Sequence, residues 1–200
     1  MAAGSGRRFG GDIPKQYQCV NGLSLVEIGL RHLAAEARIT WLQPVLAAGD
    51  DCFSACIADH DFPFTMLPPV IGGAERAQSM CRGLAALPEA CEWVAVQDAA
   101  RPLPSPALLA AVLDAAEKYG AAVPGLPVHD TIKQVADDGL VVNTLNRAVL
   151  RAVQTPQVAR RDWLMQAVER FSEDLGRFTD DAALLEAAGF PVFISDGEAN

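Results

Sequence analysis

The order of apolar and polar residues along the chain predicts helices that alternate with strands. In residues 23–36, LSLVEIGLRHLAAE, apolar residues recur at the three- and four-residue spacing of a helix with one buried face. Further segments with helical patterning are 74–87, 105–119, 160–171 and 179–188. Short apolar runs typical of buried strands are 39–48, 68–73, 92–102, 120–128 and 191–195.

This alternation predicts an α/β fold. Strands that are joined through helices form βαβ units, whose strands run parallel within one sheet. We therefore expect a twisted, mainly parallel sheet that is flanked by helices. Pro44, inside the run 39–48, lacks an amide hydrogen for strand pairing, which favours the edge of the sheet for that strand. For the last helix, we expect Thr179 as the N-cap and Gly189 at the end.

The pattern changes in residues 130–153, where β-branched runs flank the dipeptide Asp138-Gly139. Asp-Gly between two such runs is a strong signal for a tight hairpin turn. We therefore expect a protruding β-arm at about 130–155, within a single domain that covers residues 1–200. Taken alone, this segment is better explained as a solvated β-arm without a functional role.

The composition narrows the function classes. Among the 200 residues, 50% are hydrophobic, and the net charge is −9. This acidic balance argues against general binding to nucleic acids or anionic membranes, so an anionic ligand needs a local cluster of cations. No apolar run has the length of a membrane span or the form of a signal peptide. Five cysteines without a CxxC pair favour reduced thiols, and we expect a cytoplasmic protein.

The first residues supply such a cluster. Glycines in MAAGSGRRFGG would let backbone amides approach a phosphate closely, and Arg8 and Lys15 would neutralise its charge. The spacing is neither that of a dinucleotide fold nor that of a P-loop. The alternative interpretation is a basic loop that is simply solvated.

Two further segments follow predicted strands, at the end where ligands of open α/β sheets bind. Gly72 and Gly73 would admit a base or a ribose, and Ser79 could hydrogen-bond a pyrimidine edge; an ordinary strand-to-helix turn explains them equally well. Asp98 could hold Mg²⁺ or a ribose hydroxyl, and Arg101 could grip a phosphate. The alternative for that pair is a surface ion pair.

Several stretches together resemble a known family. They are AAGSGRRFG, IGGAERAQSMCRGL (71–84), VQDAARPLPS (96–105), PVHDTIK (127–133), NRAVLRAVQTPQ (146–157) and FTDDAALLEAAGF (178–190). In this order they resemble the 2-C-methyl-D-erythritol 4-phosphate cytidylyltransferases of non-mevalonate isoprenoid synthesis, over essentially the whole chain. The resemblance implies a Rossmann-like fold of the nucleotidyltransferase type and transfer of a cytidylyl group from CTP, with Mg²⁺ as cofactor.

The resemblance also implies roles for individual residues. Arg8 and Lys15 would be catalytic, and Asp98 would be the Mg²⁺ ligand. The arm would cross to a second subunit of a homodimer. The implied CTP-binding residues are Ala2, Ala3, Gly4, Ser5, Gly6, Gly72, Gly73, Ala74, Ser79 and Asp98. The implied residues for the polyol phosphate are Ala99, Arg101, Thr131, Arg147 and Thr155.

Some positions depart from the family pattern. Gln97 stands where the family has His, and Ala74 where it has another residue type, which leaves base contacts there to the backbone. The family also has a hydrophobic strand before the glycine loop and a substrate-binding segment after a position like Asn200. We therefore expect an open strand position leading into Ala2, and weak CTP binding with little turnover from residues 1–200 alone.

Three other functions stay open from the sequence. One is a cytidylyltransferase for a pentitol phosphate such as ribitol 5-phosphate, and another is a truncated, non-catalytic nucleotide-binding homologue. The third is a nucleotidyltransferase of another pathway, such as sugar or molybdopterin guanylylation. We expect CTP and a polyol phosphate as the ligands, and no nucleic acid or membrane as a partner.

Overall fold

The computed structural model describes residues 1–4, 13–101 and 103–199. The helices are Leu25–Leu33 (α1), Cys52–Ile57 (α2), Arg76–Ala85 (α3), Pro106–Tyr119 (α4), Arg161–Arg170 (α5) and Asp181–Ala188 (α6). Short 3-10 helices are Lys15–Tyr17, Arg147–Val149 and Leu175–Arg177. The strands are Cys19–Val20 (β1), Leu23–Ser24 (β2), Trp41–Leu42 (β3), Val45–Leu46 (β4), Thr65–Met66 (β5), Val70–Ile71 (β6), Trp93–Val96 (β7), Ala121–Pro127 (β8), Lys133–Val135 (β9), Val141–Thr144 (β10), Arg151–Val153 (β11), Gln157–Arg160 (β12) and Phe193–Asp196 (β13).

In the first half, β1 and β2 form an antiparallel pair, and two further strand pairs are parallel. β3 pairs with β5 and β4 with β6. Ala2 forms a parallel bridge with Leu46, and its amide donates to the Val45 carbonyl at 2.8 Å. On the other side, the Ala99 amide donates to the Met1 carbonyl at 3.0 Å. The first two residues therefore lie between β4 and the end of β7.

The second half forms a five-stranded sheet in the order β11-β8-β12-β7, and β13 also pairs with β8. β13 is parallel to β8, whereas β11 and β12 are antiparallel to their neighbours. Because β12 is antiparallel to both β7 and β8, those two strands run in the same direction. The mixed α/β class is confirmed, and the two antiparallel strands are a detail that the sequence pattern did not predict.

Helices cover the sheet on two sides. One apolar cluster is formed with α1, α2 and α4, where Leu109, Val112 and Ala116 are fully buried. The other cluster is formed with α3, α5 and α6, and includes Met80 and Leu184. None of the helices in the described part of the chain combines the length and apolarity that a membrane-spanning helix requires.

A cleft of about 470 Å³ lies between β3 and β4 on one side and β7 on the other. Trp41, Leu42 and Val45 line one wall, and residues 93–97 line the opposite wall. Met1 also lines the cleft, next to the bridge that Ala2 makes with Leu46. The cleft therefore lies beside the bridge between Ala2 and Leu46, and an open strand position leading into Ala2 stays a prediction.

Local structure departs from the sequence prediction at three places. Pro44 does not mark a sheet edge, because β4 just after it is flanked by β6 and Ala2. Asp180 rather than Thr179 caps α6, since its carboxylate accepts a hydrogen bond from the Ala183 amide at 2.9 Å. The pattern also missed α2, whose first amides donate to the Asp50 carboxylate.

A hairpin forms around Asp138-Gly139, but it is shorter than the predicted arm of 130–155, since Arg151–Val153 pairs with β8 in the five-stranded sheet. β9 and β10 pair in antiparallel fashion, and Gly139 has a φ of +84°, a backbone conformation that glycine adopts without strain. Every residue of the two strands is exposed. The pair lies outside the five-stranded sheet, and its role in a second subunit's site stays a prediction.

Candidate active site

The opening loop, of which the structure describes residues 1–4, contacts the glycine turn, which consists of Gly72, Gly73 and Ala74 after β6. A Cβ atom built at Gly72 would stand 2.4 Å from the Ala3 Cβ atom, so only glycine permits this approach. The Gln16 side-chain amide fixes the other side of the loop, because it donates to the Ala2 carbonyl at 2.8 Å and to the Gly4 carbonyl at 3.4 Å. Two of the predicted nucleotide-binding segments are thus adjacent.

Hydrogen bonds from helix α3 shape the glycine turn. The hydroxyl oxygen of Ser79 accepts from the Gly73 amide at 3.0 Å and lies 3.1 Å from the Glu75 carbonyl, to which it donates. The side-chain oxygen of Gln78 accepts from the Ala74 amide at 3.0 Å. Ser79 is buried, so its observed role is to hold the turn. A direct contact between Ser79 and a pyrimidine base stays a prediction.

Asp98 follows β7 and lies between two arginines. The Arg76 Nε atom donates to one carboxylate oxygen at 3.3 Å, and the Arg101 Nε atom lies 3.9 Å from the other. The Asp98 side chain is 31% exposed and that of Arg101 is 55% exposed. The predicted metal ligand and the predicted phosphate ligand are therefore in contact and accessible.

Arg76 is anchored from behind by Asp181, the first residue of α6. Both terminal nitrogens of Arg76 donate to the two oxygens of Asp181 at 2.9 Å. Burial raises the pKa of Asp181, and the bidentate contact with Arg76 counteracts this effect. Burial lowers the pKa of Arg76, but its contacts with Asp181 and Asp98 together more than offset this effect, so the pKa of the guanidinium is raised.

Residues at and just before the start of β12 also contact Asp98 and Asp181. The Thr155 hydroxyl oxygen accepts from the Asp98 amide at 3.4 Å. The side-chain oxygen of Gln157 accepts from the amides of Asp181 and Ala182, each at 3.0 Å, and its nitrogen donates to Asp180. Thr155 is buried, and it supports Asp98 through the backbone.

All of these segments lie at one edge of the sheet. β4 and β6 run parallel to Ala2, and Met1 pairs in the same direction with the residues that follow β7. The first residue of β12 pairs with the last residue of β7. In open α/β sheets this edge binds the ligand. The structure therefore brings together Ala2, Ala3, Gly4, Gly72, Gly73, Ala74, Ser79, Asp98, Ala99, Arg101 and Thr155.

Lys15, Thr131 and Arg147 lie on other elements. Lys15 begins the first 3-10 helix, next to Gln16. Thr131 and Arg147 belong to the hairpin region, where Arg147 donates to the His129 carbonyl. Among residues 1–4, 13–101 and 103–199, no hydrogen bond or ion pair joins Thr131 or Arg147 to Asp98. Ser5, Gly6 and Arg8 lie outside the described residues.

The donor set at Asp98 fits a magnesium ion. Mg²⁺ is commonly held by one or two carboxylates together with substrate phosphates and water. Asp98 offers an accessible carboxylate of this kind at the ligand-binding edge. Within the described ranges, no cluster of three or more His, Cys, Asp or Glu residues could hold a metal ion.

Sequence reasoning missed Arg76, Gln157 and the role of Asp181. Arg76 lies inside a motif whose glycines and serine draw attention first, and a place at a helix start is enough to explain Asp181. The sequence does contain a signal for the pair, which is the charge of Arg76 and Asp181. Each of these two residues begins a helix that packs into the apolar core, and an ionic group that is buried there needs a partner of opposite charge.

Comparisons with known proteins agree with this geometry. A family model described as 2-C-methyl-D-erythritol 4-phosphate cytidylyltransferase (IspD) matches residues 1–200. The chain is 39% identical over 197 residues to the 2-C-methyl-D-erythritol 4-phosphate cytidylyltransferase of Pelotomaculum thermopropionicum, covering 98% of this chain and 83% of that protein. It is 41% identical over 203 residues to the bifunctional enzyme IspD/IspF of Bradyrhizobium sp. (strain ORS 278), covering 99% of this chain and 50% of that enzyme.

Solved structures are similar as well. The 2-C-methyl-D-erythritol 4-phosphate cytidylyltransferase of Thermus thermophilus superposes with a TM-score of 0.76 at 33% identity, over 93% of this chain and 84% of that one. The 4-diphosphocytidyl-2C-methyl-D-erythritol synthase of Anaerococcus prevotii gives a TM-score of 0.83 at 27% identity, over 92% and 84%. The chain spans about half the length of the bifunctional relatives that it matches.

Proposed function

Since the chain belongs to the 2-C-methyl-D-erythritol 4-phosphate cytidylyltransferase family, we propose that it transfers the cytidylyl group of CTP to 2-C-methyl-D-erythritol 4-phosphate. The products are CDP-methylerythritol and pyrophosphate. The observation that carries the proposal is the meeting of the opening loop, the glycine turn and the Asp98–Arg101 pair at one edge of the sheet. These elements suit a nucleotide and a second anion side by side.

The chemistry is a substitution at phosphorus. An oxygen of the methylerythritol phosphate attacks the α-phosphorus of CTP and forms a new P–O bond. The bond from that phosphorus to the bridging oxygen of the β-phosphate breaks, and pyrophosphate leaves with the electron pair. The attacking phosphate is already ionised, so no general base is required, and Gln97 in place of the family's His does not impair the reaction.

Charge is the main catalytic requirement, because two anions must approach each other. Arg8 and Lys15 would neutralise the triphosphate, and backbone amides of the opening loop and the glycine turn would cradle it. Arg101, exposed at the sheet edge, would bind the phosphate of the polyol. Mg²⁺ at Asp98 would supply further charge stabilisation when bound.

The hairpin of β9 and β10 suits a dimer interface. Its exposed apolar residues are Val135, Leu140, Val141 and Val142. A lone hairpin with this surface would tend to aggregate, and pairing with a second copy would cover it. Thr131 and Arg147, which lie beside this hairpin, would then contribute to the partner's site.

All five cysteines are free thiols, which fits a protein of the cytoplasm.

The proposal is tested by measuring pyrophosphate release from CTP with a panel of polyol phosphates, using the purified protein. We expect release with 2-C-methyl-D-erythritol 4-phosphate and little with ribitol 5-phosphate. Faster release with ribitol 5-phosphate would favour the pentitol alternative. CTP binding without release from any acceptor would identify a non-catalytic nucleotide-binding protein.

A further inference from the structure

We propose that Arg76 is a positioning residue for the metal-binding carboxylate of Asp98, oriented for this task by the buried Asp181. The inference rests on the proposed function and deepens it. In this arrangement, Arg76 donates to one oxygen of Asp98, and the other oxygen, which lies 3.9 Å from the exposed Arg101, is the one that a divalent cation would bind.

The three side chains come from three different elements. Arg76 is the first residue of α3, Asp98 follows β7, and Asp181 is the first residue of α6. Asp181 is only 4% exposed, whereas Arg76 is 28% exposed. The chain of contacts therefore runs from the protein interior at Asp181 to the accessible carboxylate at Asp98.

The guanidinium geometry explains why Asp181 controls Arg76. Both Nη atoms are used by the two oxygens of Asp181 at 2.9 Å, and this bidentate contact fixes the plane of the group. The remaining donor, Nε, then points toward one oxygen of Asp98 at 3.3 Å. A lysine would keep the charge, but its single nitrogen has no rigid fork to hold both carboxylates in this way.

Asp181 is itself held in place on its other side. Its backbone amide donates to the Gln157 side chain at 3.0 Å, and Gln157 also donates to Asp180, the N-cap of α6. A buried carboxylate is costly unless it is paired with an opposite charge, and Arg76 supplies that charge. The pairing and the hydrogen bonds of Gln157 together hold Asp181 in place. Arg101 differs, because it is 55% exposed and lies 3.9 Å from the second oxygen of Asp98.

These differences in exposure and contact indicate different roles for Arg76 and Arg101. Arg76 contacts Asp98 from the side of Asp181 and is 28% exposed, about half the exposure of Arg101. Arg101 lies on the accessible side, where an incoming cation at Asp98 would compete with it and a phosphate would attract it. Residues that orient a metal ligand typically change metal affinity by roughly 10–100-fold when they are removed.

A merely structural role for Arg76 predicts a different outcome. In that case the residue would only neutralise Asp181, and replacing the pair with apolar residues of similar size would restore the protein completely. Such replacements of buried ion pairs are often neutral or stabilising for the fold. The positioning role predicts instead that stability returns while the metal affinity stays low.

The test compares Arg76→Lys, the double variant Arg76→Met with Asp181→Leu, and the control Arg160→Met with Asp162→Leu. The control removes an exposed ion pair of the same bidentate type, at 2.9 Å for both contacts. Three quantities are measured for each protein: Tm, CTP affinity by calorimetry without metal, and Mn²⁺ affinity of the CTP complex by electron paramagnetic resonance.

We expect Mn²⁺ affinity to fall roughly tenfold or more in Arg76→Lys and in the Arg76/Asp181 double variant. CTP affinity without metal should stay within about twofold of wild type in both, and the double variant should have a near-wild-type Tm. Wild-type Mn²⁺ affinity in a folded Arg76→Lys or double variant would overturn the positioning role. A wild-type protein that binds no CTP would instead overturn the proposed function, and this inference with it.

Discussion

Gly72 and Ala3 lie so close together that a Cβ atom at Gly72 would stand 2.4 Å from the Ala3 Cβ atom. The same Cβ atom would lie 2.7 Å from the Ser79 hydroxyl oxygen. Neither neighbour is the end of a long flexible side chain, so an added methyl group would displace the opening loop or the glycine turn. This contact joins two segments that are far apart in the sequence and that the proposed function assigns to one nucleotide.

Replacing Gly72 with Ala should therefore weaken CTP binding. We expect the KM for CTP to rise by roughly tenfold, since the 2.4 Å contact must open toward the 3.4 Å of ordinary contact, and this displacement misaligns backbone amides that would cradle the phosphates. Steady-state kinetics with CTP varied would measure this. Adding Ala3→Gly to the same protein should recover part of the loss, because it removes the nearer clashing atom. An unchanged KM in Gly72→Ala would mean that CTP does not bind across this contact.

The proposed cations of the opening segment can be tested in the same assay. Arg8→Ala and Lys15→Ala should each lower turnover by roughly 10²–10³, the effect of losing one preorganised charge contact in a transition state. Neither change should lower Tm appreciably. Lys118→Ala, in the last turn of α4, serves as a charge-matched control and should keep wild-type turnover. Near-normal turnover of either loop variant would refute its assignment to the triphosphate.

The sequence predicted most elements and several neighbours in the site, because periodicity and capping act locally. Helix α4, for example, begins at the Ser105 cap and ends at Gly120, much as its pattern indicates. Pairing directions depend on contacts between distant segments, so the antiparallel strands β11 and β12 were not predicted. The Arg76–Asp181 pair was not predicted either, because its members are 105 positions apart and come into contact only in the folded chain.

The thiol of Cys81 links stability to pH. Burial, together with the nearby charge of Asp181, raises the pKa of Cys81 from 9.0 to about 11. Between these values the unfolded chain loses the proton before the native protein does, so the free energy of unfolding falls as pH rises from 9.0 to about 11. Cys81→Ala should decline less steeply than wild type in urea denaturation over this range. Cys19→Ala, which changes an exposed thiol, should follow wild type; equal slopes for all three proteins would contradict the effect.

The hairpin is expected to carry the dimer interface. Val141→Lys would place a charge among its exposed apolar residues and should shift the protein toward monomer in sedimentation velocity at micromolar concentration. Met165→Lys introduces the same charge at an exposed position on α5, outside the hairpin, and should leave the dimer unchanged. A wild-type protein that stays monomeric at high micromolar concentration would contradict the interface.

The most direct test of cytidylyl transfer follows the oxygen atoms of the acceptor. 2-C-methyl-D-erythritol 4-phosphate labelled with ¹⁸O in its phosphate is incubated with CTP, Mg²⁺ and the protein, and both products are analysed by ³¹P nuclear magnetic resonance and mass spectrometry. The account predicts CDP-methylerythritol that retains all of the ¹⁸O, including the atom that bridges its two phosphorus atoms, and pyrophosphate that contains none. Label in the pyrophosphate, or the absence of CDP-methylerythritol, would contradict attack by this acceptor on the α-phosphorus of CTP.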